Sequence, residues 1–254
     1  MMQWKIGASC IGGALLVFGT MIAAGAEQPH WGYAGNAGPE YWGTLAPAYE
    51  RCGSGRNQSP IDLRGFVAAD LKSIRFHYVT NAMEVHNNGH SVQANYTPGS
   101  TIKLDGHVFE LKQFHFHAPS ENRISGKAFP LEGHLVHADQ EGNLAVVAVM
   151  FAEGKANATV AALWKQLPAR EGDTLALTST VNAAGLLPQR RTYYRYNGSL
   201  TTPPCSEGVW WLVMKDPVSV SQEQVEAFKK VIGHPNNRPV QTVNARSILR
   251  PRSR

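Results

Sequence analysis

Several patterns that mark common protein classes are absent from this sequence of 254 residues. It has no basic helix and no repeat of basic and aromatic residues, so nothing indicates a nucleic-acid partner despite a formal net charge of +5. Charged residues are only 17% and hydrophobic ones 43%, which favours a globular chain over a disordered one. No internal repeat, linker or shift in composition marks a boundary. We therefore expect a single domain with a sizeable core.

Long apolar runs are also lacking, apart from one at the N-terminus. Residues 6–24 carry no charge, and the run ends in Ala24-Gly25-Ala26, the small-x-small pattern at which signal peptidase cleaves. A retained membrane anchor is the alternative, because the run approaches the length of a membrane span. We predict a signal peptide over residues 1–26, cleaved after Ala24 or Ala26, and an exported, periplasmic or otherwise secreted domain over residues 27–254 with no membrane span.

Cysteine is scarce, with only three in the chain. Cys10 lies in the predicted signal peptide, which leaves Cys52 and Cys205 as an even pair in an exported protein. Two free thiols are the alternative, and the oxidising compartment favours a disulfide. Closing so long a loop would stabilise the fold by roughly 4–5 kcal/mol in the chain-entropy description.

Short segments of alternating polarity dominate the chain and predict β-strands. Glycine, proline, asparagine and serine are dense at 32–43 and 51–60, which indicates turns. The apolar run 144–151 predicts a central strand buried on both faces, and helical spacing occurs clearly only at 157–167 and 221–233. The pattern predicts a mainly β domain with short helices (α+β). The alternating segments are 74–79, 83–88, 91–96, 101–111, 113–117 and 133–139.

Two of the ten histidines stand out by their spacing. In a strand, His115 and His117 share one face with Gln113, while Phe114 and Phe116 occupy the other. Neutral imidazoles side by side need several hydrogen-bond partners or one shared partner. A metal ion is such a shared partner, whereas a lone histidine on an apolar strand is usually structural.

A third ligand is available downstream of this pair. His134 shares a strand face with Glu132, which is placed to orient its ring, while His137 lies on the other face and is better explained as structural. No cysteine or aspartate at similar spacing completes a closed site of four ligands. Three histidines with an open position indicate zinc-dependent hydrolysis or hydration.

Several motifs of the chain resemble the α-class carbonic anhydrases, in the same order and over about residues 30–246. The secreted bacterial branch is the most similar, because FHFHAPSEN stands where animal members have FHFHWG. The resemblance implies a central, twisted, mostly antiparallel sheet with short peripheral helices. The motifs are QFHFHAPSEN (113–122), SENRISGKAFPLEGHLV (120–136), SLTTPPC (199–205), WGYAG (31–35), GPEYWG (38–43), RNQSPIDL (56–63), NNGH (87–90) and NNRPVQ (236–241).

The resemblance also implies a metal site. One Zn²⁺ per chain would be held by His115, His117 and His134, the same set that the strand faces favour. Gln113 and Glu132 correspond to the residues that hold the ligand histidines in place. In addition, the resemblance matches the remaining cysteine pair to a disulfide of bacterial members.

Catalytic roles follow from the resemblance as well. Thr201 corresponds to the hydroxyl beside the zinc-bound solvent, Glu121 to the carboxylate that holds this hydroxyl, and His90 to the proton shuttle. From the residues alone, His90 is a solvated turn histidine and the Thr-Thr-Pro-Pro run a rigid loop. Polar positions that order water match Tyr33, Asn88, Gln113 and Gln93, the last where asparagine is common. The hydrophobic wall for carbon dioxide matches Val136, Val146, Leu200, Val209 and Trp211.

The implied function is the reversible hydration of carbon dioxide to bicarbonate and a proton, by attack of zinc-bound hydroxide. A catalytically silent, partner-binding relative is the alternative, and it should lack a zinc ligand, Thr201 or Glu121. A zinc carrier should have an exposed His-rich tract, and many other zinc hydrolases have an HExxH pair; the sequence has neither. Carbon dioxide and bicarbonate are the expected small-molecule partners, and a homodimer is compatible with the sequence.

Overall fold

The computed structural model describes residues 29–252. The predicted signal peptide lies outside these residues. Within them, four α-helices are present, namely Trp42–Leu45 (α1), Arg51–Ser54 (α2), Ala158–Trp164 (α3) and Gln222–Ile232 (α4). The strands are Asp62–Leu63 (β1), Val67–Ala69 (β2), Arg75–His77 (β3), Ala82–Asn87 (β4), Val92–Tyr96 (β5), Thr101–Leu104 (β6), His107–His117 (β7), Arg123–Ile124 (β8), Leu131–Ala138 (β9), Leu144–Glu153 (β10), Thr174–Ala176 (β11), Tyr193–Ser199 (β12), Glu207–Met214 (β13), Val218–Val220 (β14) and Leu249–Pro251 (β15).

Thirteen of these strands form one twisted sheet, in the order β11-β4-β5-β7-β9-β10-β13-β12-β15-β2. Strand β6 pairs with β7 and β3, and β14 pairs with β10. Most neighbours are antiparallel, and the parallel pairs are β10 with β13, β10 with β14, and β15 with β2. Strands β1 and β8 form a separate two-stranded parallel sheet. The prediction of a central, mostly antiparallel sheet with short helices is therefore confirmed.

Strand β10 lies at the centre of the sheet and is buried on both faces, as its apolar run predicts. Side chains of a strand alternate between faces, so two separate cores form. Val147, Val149 and Phe151 pack into the larger apolar cluster, together with α3 and α4. Val146 and Met150 pack into the second cluster, which lies behind the site described below.

The two predicted helices are present and carry the capping groups that their sequences indicate. The Asn157 side chain accepts hydrogen bonds from the first turn of α3. Ser221 and Gln224 form a reciprocal capping box at the start of α4, and Gly233 ends this helix with φ of 78°. Trp164 of α3 stacks on a phenylalanine of α4, which fixes the pair against the sheet.

Two details differ from the sequence predictions. The short helix α2 forms inside a stretch that composition indicated as a turn, and α1 begins at the end of another. Gly43 and Gly53 let the two helices approach closely: a Cβ at Gly43 would lie 2.8 Å from the backbone nitrogen of Gly53. The segment 101–111 is two strands, since Asp105 and the following glycine adopt positive φ and form a tight hairpin turn. Strand β7 runs from His107 through the histidine pair, and its pairing with β9 has a bulge between Leu111 and Gln113.

Candidate metal centre

Three histidines converge at the middle of the large sheet, on adjacent antiparallel strands. His115 of β7 lies directly opposite His134 of β9, and His117 follows two residues along β7 on the same face. One nitrogen of each ring lies within 4.8 Å of the corresponding nitrogens of the other two. The alternation of β7 and its pairing with β9 thus bring together the three residues that the sequence singled out.

The opposite nitrogen of each ring is fixed by an oxygen that can only accept a hydrogen bond. Each ring must therefore carry its proton on that side and present a lone pair to the point shared by all three. The bonds are His115 Nδ1 to Gln113 Oε1 at 2.8 Å, His117 Nδ1 to the carbonyl of Asn236 at 2.6 Å, and His134 Nε2 to Glu132 Oε1 at 2.9 Å.

These three nitrogens fit a zinc ion. Burial, above all, lowers the pKa of all three imidazoles, well below the ordinary value for His115 and His134. The rings are therefore neutral donors at physiological pH, as metal ligands must be. The inward Nε2 of His117 is buried and has no hydrogen-bond partner among the described residues, and a metal ion would serve as its partner. Three nitrogens leave a fourth, open position in tetrahedral coordination.

Glu132 is the most fully bonded carboxylate of the site. Its Oε2 accepts the backbone N–H groups of Glu121 and Asn122, and its Oε1 accepts the Asn122 amide as well as the His134 ring. Burial raises the pKa of Glu132 to about 7, and the bonds from Asn122 oppose this rise. Glu132 thus ties His134 to the loop that carries Glu121.

Glu121 lies on the inner side of the site and faces the ligand nitrogens. Its Oε1 accepts the backbone N–H of Arg238 at 2.8 Å, and its Oε2 lies 3.5 Å from His117 Nε2. Burial raises the pKa of Glu121 well above its usual value, while the Thr201 hydroxyl and the Arg238 N–H lower it. No hydrogen bond of ordinary geometry reaches Oε2 within residues 29–252. The Thr201 hydroxyl lies close enough to Glu121 to lower its pKa, and Oε2 is left as an acceptor for it.

A cavity of about 160 Å³ opens in front of the three histidines. One part of its lining is apolar and is formed by Val136, Val146, Leu200 and Trp211, whereas Val209 is buried in the second apolar cluster and does not line the cavity. The other part is polar and contains Tyr33, Asn88, His90, Gln93 and Gln113. The structure thus separates an apolar wall from a polar wall.

His90 occupies a turn that side chains of the preceding residues hold in place. Asn87 Oδ1 accepts the backbone N–H of Gly89, whose φ is 77°, and Asn88 Oδ1 accepts the N–H of His90. The His90 ring stacks on Trp31, with centroids 3.7 Å apart and planes 11° apart. Burial lowers the pKa of His90, while Glu171 raises it and His30 and His234 lower it. His90 is thus both a turn residue and part of the cavity lining.

Asn236 and Trp31 are residues of the site that sequence reasoning did not single out, although both lie in recognised motifs. The Asn236 side chain accepts the N–H of Ala118 and donates to the carbonyls of His90 and Phe116, while its own carbonyl holds His117. Asn236 therefore joins the turn of His90 to strand β7, which carries His115 and His117. Asn236 and Trp31 lie in the motifs NNRPVQ and WGYAG. Their contacts join residues that are far apart in the sequence, so the motifs alone do not predict them.

The structure contains the disulfide between Cys52 and Cys205, with a Cα–Cα distance of 5.0 Å. It ties α2 to the loop that carries Thr201, four residues before Cys205. Arg238 reinforces the same region, because its guanidinium donates to the carbonyls of Cys52 and Ser59. The segment behind Thr201 is therefore fixed both covalently and by a buried cation.

Replacing both cysteines with alanine is expected to lower the free energy of unfolding by about 5 kcal/mol, because the bridge closes a loop with a sequence separation of 153 residues. Urea denaturation of the oxidised protein and of the double variant measures this difference. Reduction of the wild-type protein should lower its midpoint to that of the variant. Equal midpoints for the oxidised protein and the variant would show that the bridge contributes nothing.

Comparisons with known proteins agree with this site. The family model described as eukaryotic-type carbonic anhydrase matches residues 37–252. A carbonic anhydrase of Pectobacterium carotovorum is 46% identical over 236 residues, covering 93% of this chain and 97% of the relative. One of Neisseria gonorrhoeae is 44% identical over 228 residues, covering 89% and 90%. The solved complex of α-carbonic anhydrase from Thermovibrio ammonificans with the inhibitor sulfanilamide has a TM-score of 0.86 at 49% identity, covering 87% of this chain and 99% of that one.

The sheet, the histidine cluster and the two-sided cavity are those of a metalloenzyme in which three histidines could hold one metal ion. The chain belongs to the α-carbonic anhydrase family and is an enzyme of that class. No helix within residues 29–252 is long and apolar enough to span a membrane.

Proposed function

We propose that the protein catalyses the reversible hydration of carbon dioxide to bicarbonate and a proton, with one zinc ion held by His115, His117 and His134. The convergence of three neutral imidazole nitrogens beside an apolar wall carries this proposal. A bound zinc ion would supply the Lewis acidity that lets water ionise near neutral pH, as is established for carbonic anhydrases. The remaining steps belong to the side chains of the cavity.

The apolar wall suits carbon dioxide, which has no charge and no strong hydrogen-bonding group. Val136, Val146, Leu200 and Trp211 would hold it by dispersion and by exclusion of water. Because Val146 and Trp211 also pack into the buried cluster behind the cavity, the wall is rigid. Bicarbonate is polar and gains nothing from this wall, which favours its exchange for water.

Thr201 and Glu121 would orient the reacting solvent. An ionised carboxylate can only accept, so Thr201 would donate its hydroxyl proton to Glu121 Oε2 and keep its own oxygen as an acceptor. The Thr201 oxygen would then accept a hydrogen bond from the solvent molecule. A lone pair of the solvent oxygen would thereby point at the carbon of carbon dioxide. A cation at the three nitrogens favours the ionised form of Glu121, which opposes the effect of burial. The pair therefore works by positioning.

His90 would carry the product proton out of the cavity. Its pKa lies below the ordinary value, mainly because of burial, so the ring is neutral at pH 7 and can accept a proton on a ring nitrogen. Water molecules along Asn88, Gln93 and Gln113 would connect it to the reaction centre.

The test uses the chain from residue 27, which is the predicted exported form. This form rests on the signal-like N-terminus and on the disulfide, and N-terminal sequencing of the exported protein checks it. Elemental analysis should find one zinc per chain, and stopped-flow measurement should show rapid hydration of carbon dioxide that a chelator removes and zinc restores. A stoichiometrically zinc-loaded protein without hydration above the buffer rate would overturn the proposal.

His90→Ala should lower kcat by about 100-fold in weakly buffered solution, the low end of what a positioned acid–base group contributes, and leave kcat/KM nearly unchanged, because only proton export is affected. Added imidazole should restore the rate. His77→Ala, at an exposed strand position, is the matched control and should behave as the wild type. A wild-type kcat for His90→Ala at low buffer would remove His90 from the mechanism.

A further inference from the structure

Three side-chain amides line the polar wall of the cavity, namely Asn88, Gln93 and Gln113. For each amide, the hydrogen bonds that it already makes determine whether its oxygen or its nitrogen is free to bond in the cavity. Asn88 Oδ1 accepts two backbone N–H groups of the following residues, at 3.0 and 2.7 Å, which leaves its Nδ2 to donate. Gln113 Oε1 accepts the Nδ1–H of His115, which leaves its Nε2 to donate. Both amides thus present donors.

Gln93 has the opposite orientation. Its Nε2 donates to Asn95 Oδ1 at 2.7 Å, and Asn95 Nδ2 donates in turn to Glu84 Oε1 at 2.6 Å. Gln93 and Asn95 share one face of β5, and Glu84 lies opposite Asn95 on β4. All three side chains are half-buried. They form a hydrogen-bonded row that runs along the sheet and ends at Glu84, which does not line the cavity.

The carboxylate at the end of this row sets its direction. An ionised carboxylate can only accept, so Asn95 must turn its Nδ2 toward Glu84 and its Oδ1 toward Gln93. Gln93 must then turn its Nε2 toward Asn95, which leaves its Oε1 for the cavity. Among the amides of the described lining, Gln93 is the only one that presents an acceptor.

We propose that Glu84 is a positioning residue of the enzyme, which acts through Asn95 to make Gln93 Oε1 the hydrogen-bond acceptor of the polar wall. The inference rests on the proposed function and deepens it. A water molecule in the cavity can donate one hydrogen to Gln93 while it accepts from Asn88 or Gln113. The amide donors and the Gln93 acceptor would therefore orient the hydrogen bonds of the water molecules that lie between the metal centre and His90.

Glu84→Gln tests this directly, because the new amide keeps the shape but can donate to Asn95 and allow the row to reverse. Stopped-flow hydration in weak buffer should show kcat lowered by roughly 3- to 10-fold, an effect typical of residues that influence a site without contacting its ligand. The value of kcat/KM should be unchanged. Gln93→Leu should lower kcat similarly. In the Gln93→Leu background, Glu84→Gln should change kcat by less than about 1.5-fold, because the residue through which it acts is gone.

Glu153→Gln is the matched control, since it removes one exposed strand carboxylate elsewhere and should leave every rate unchanged. An equal effect of Glu84→Gln with and without Gln93, or no effect at all, would overturn the proposal. A loss of kcat and kcat/KM together, with a lower melting temperature, would show a merely structural role and would also overturn it.

A second measurement does not depend on activity. In NMR spectra of the protein with and without zinc, the side-chain NH₂ resonances of Gln93 and Asn95 should shift on Glu84→Gln and stay in place on Glu153→Gln. Unchanged resonances would refute the orientation of the row. If the wild-type protein failed to hydrate carbon dioxide, the proposed function would fail, while these resonances would still decide the role of Glu84.

Discussion

His115→Ala is expected to abolish carbon dioxide hydration and most zinc retention. Loss of this residue removes one of three nitrogen ligands, and it also frees Gln113, whose oxygen now fixes the ring. Replacing residues that merely hold a ligand commonly costs 10- to 100-fold in metal affinity, so loss of a ligand should cost more than about 100-fold. Equilibrium dialysis against a zinc chelator measures the affinity, and stopped-flow kinetics measures the rate.

His137→Ala separates metal binding from folding. His137 is also a buried histidine of β9, but its ring bonds Tyr78 and the carbonyl of Ala145 and takes no part in the cluster. Its replacement should lower the melting temperature and leave zinc stoichiometry unchanged. A His115→Ala protein that hydrates carbon dioxide at the wild-type rate would refute the metal site.

Thr201→Ala is expected to lower kcat/KM by about 100-fold while the zinc content stays at one per chain. The variant keeps the three ligands and the apolar wall, and it loses only the hydroxyl that orients solvent, a misplacement that typically costs about this factor. Thr201→Ser should recover most of the rate, because it restores the hydroxyl beside Glu121. Equal rates for the alanine and serine variants would assign Thr201 a purely structural role in its loop.

Local periodicity was sufficient to predict the parts of the protein that depend on neighbouring residues. Alternation in 113–117 placed His115 and His117 on one face, and the pairing of β7 with β9 then brought His134 opposite. The buried strand β10 and the capped helix α4 likewise follow from their own residues.

Contacts between distant segments were not predictable in this way. The carbonyl that fixes His117 belongs to Asn236, 119 residues later, and no periodicity connects the two. The orientation of Gln93 depends on Glu84 across a strand pair, so the amide alone gives no indication of which end faces the cavity. The resemblance matches Val209 to the wall, yet it is buried in the second apolar cluster and is not among the residues that line the cavity.

Asn236 also bears on the order in which the site is completed during synthesis. All three imidazoles are present in the growing chain once His134 has emerged, but the carbonyl that sets the proton of His117 is made much later. The same late segment supplies the N–H of Arg238 that holds Glu121. A partially synthesised chain therefore has the ligands without their full alignment. The alignment of His117 and Glu121 is therefore a property of the finished chain and not of the segment that carries the three histidines.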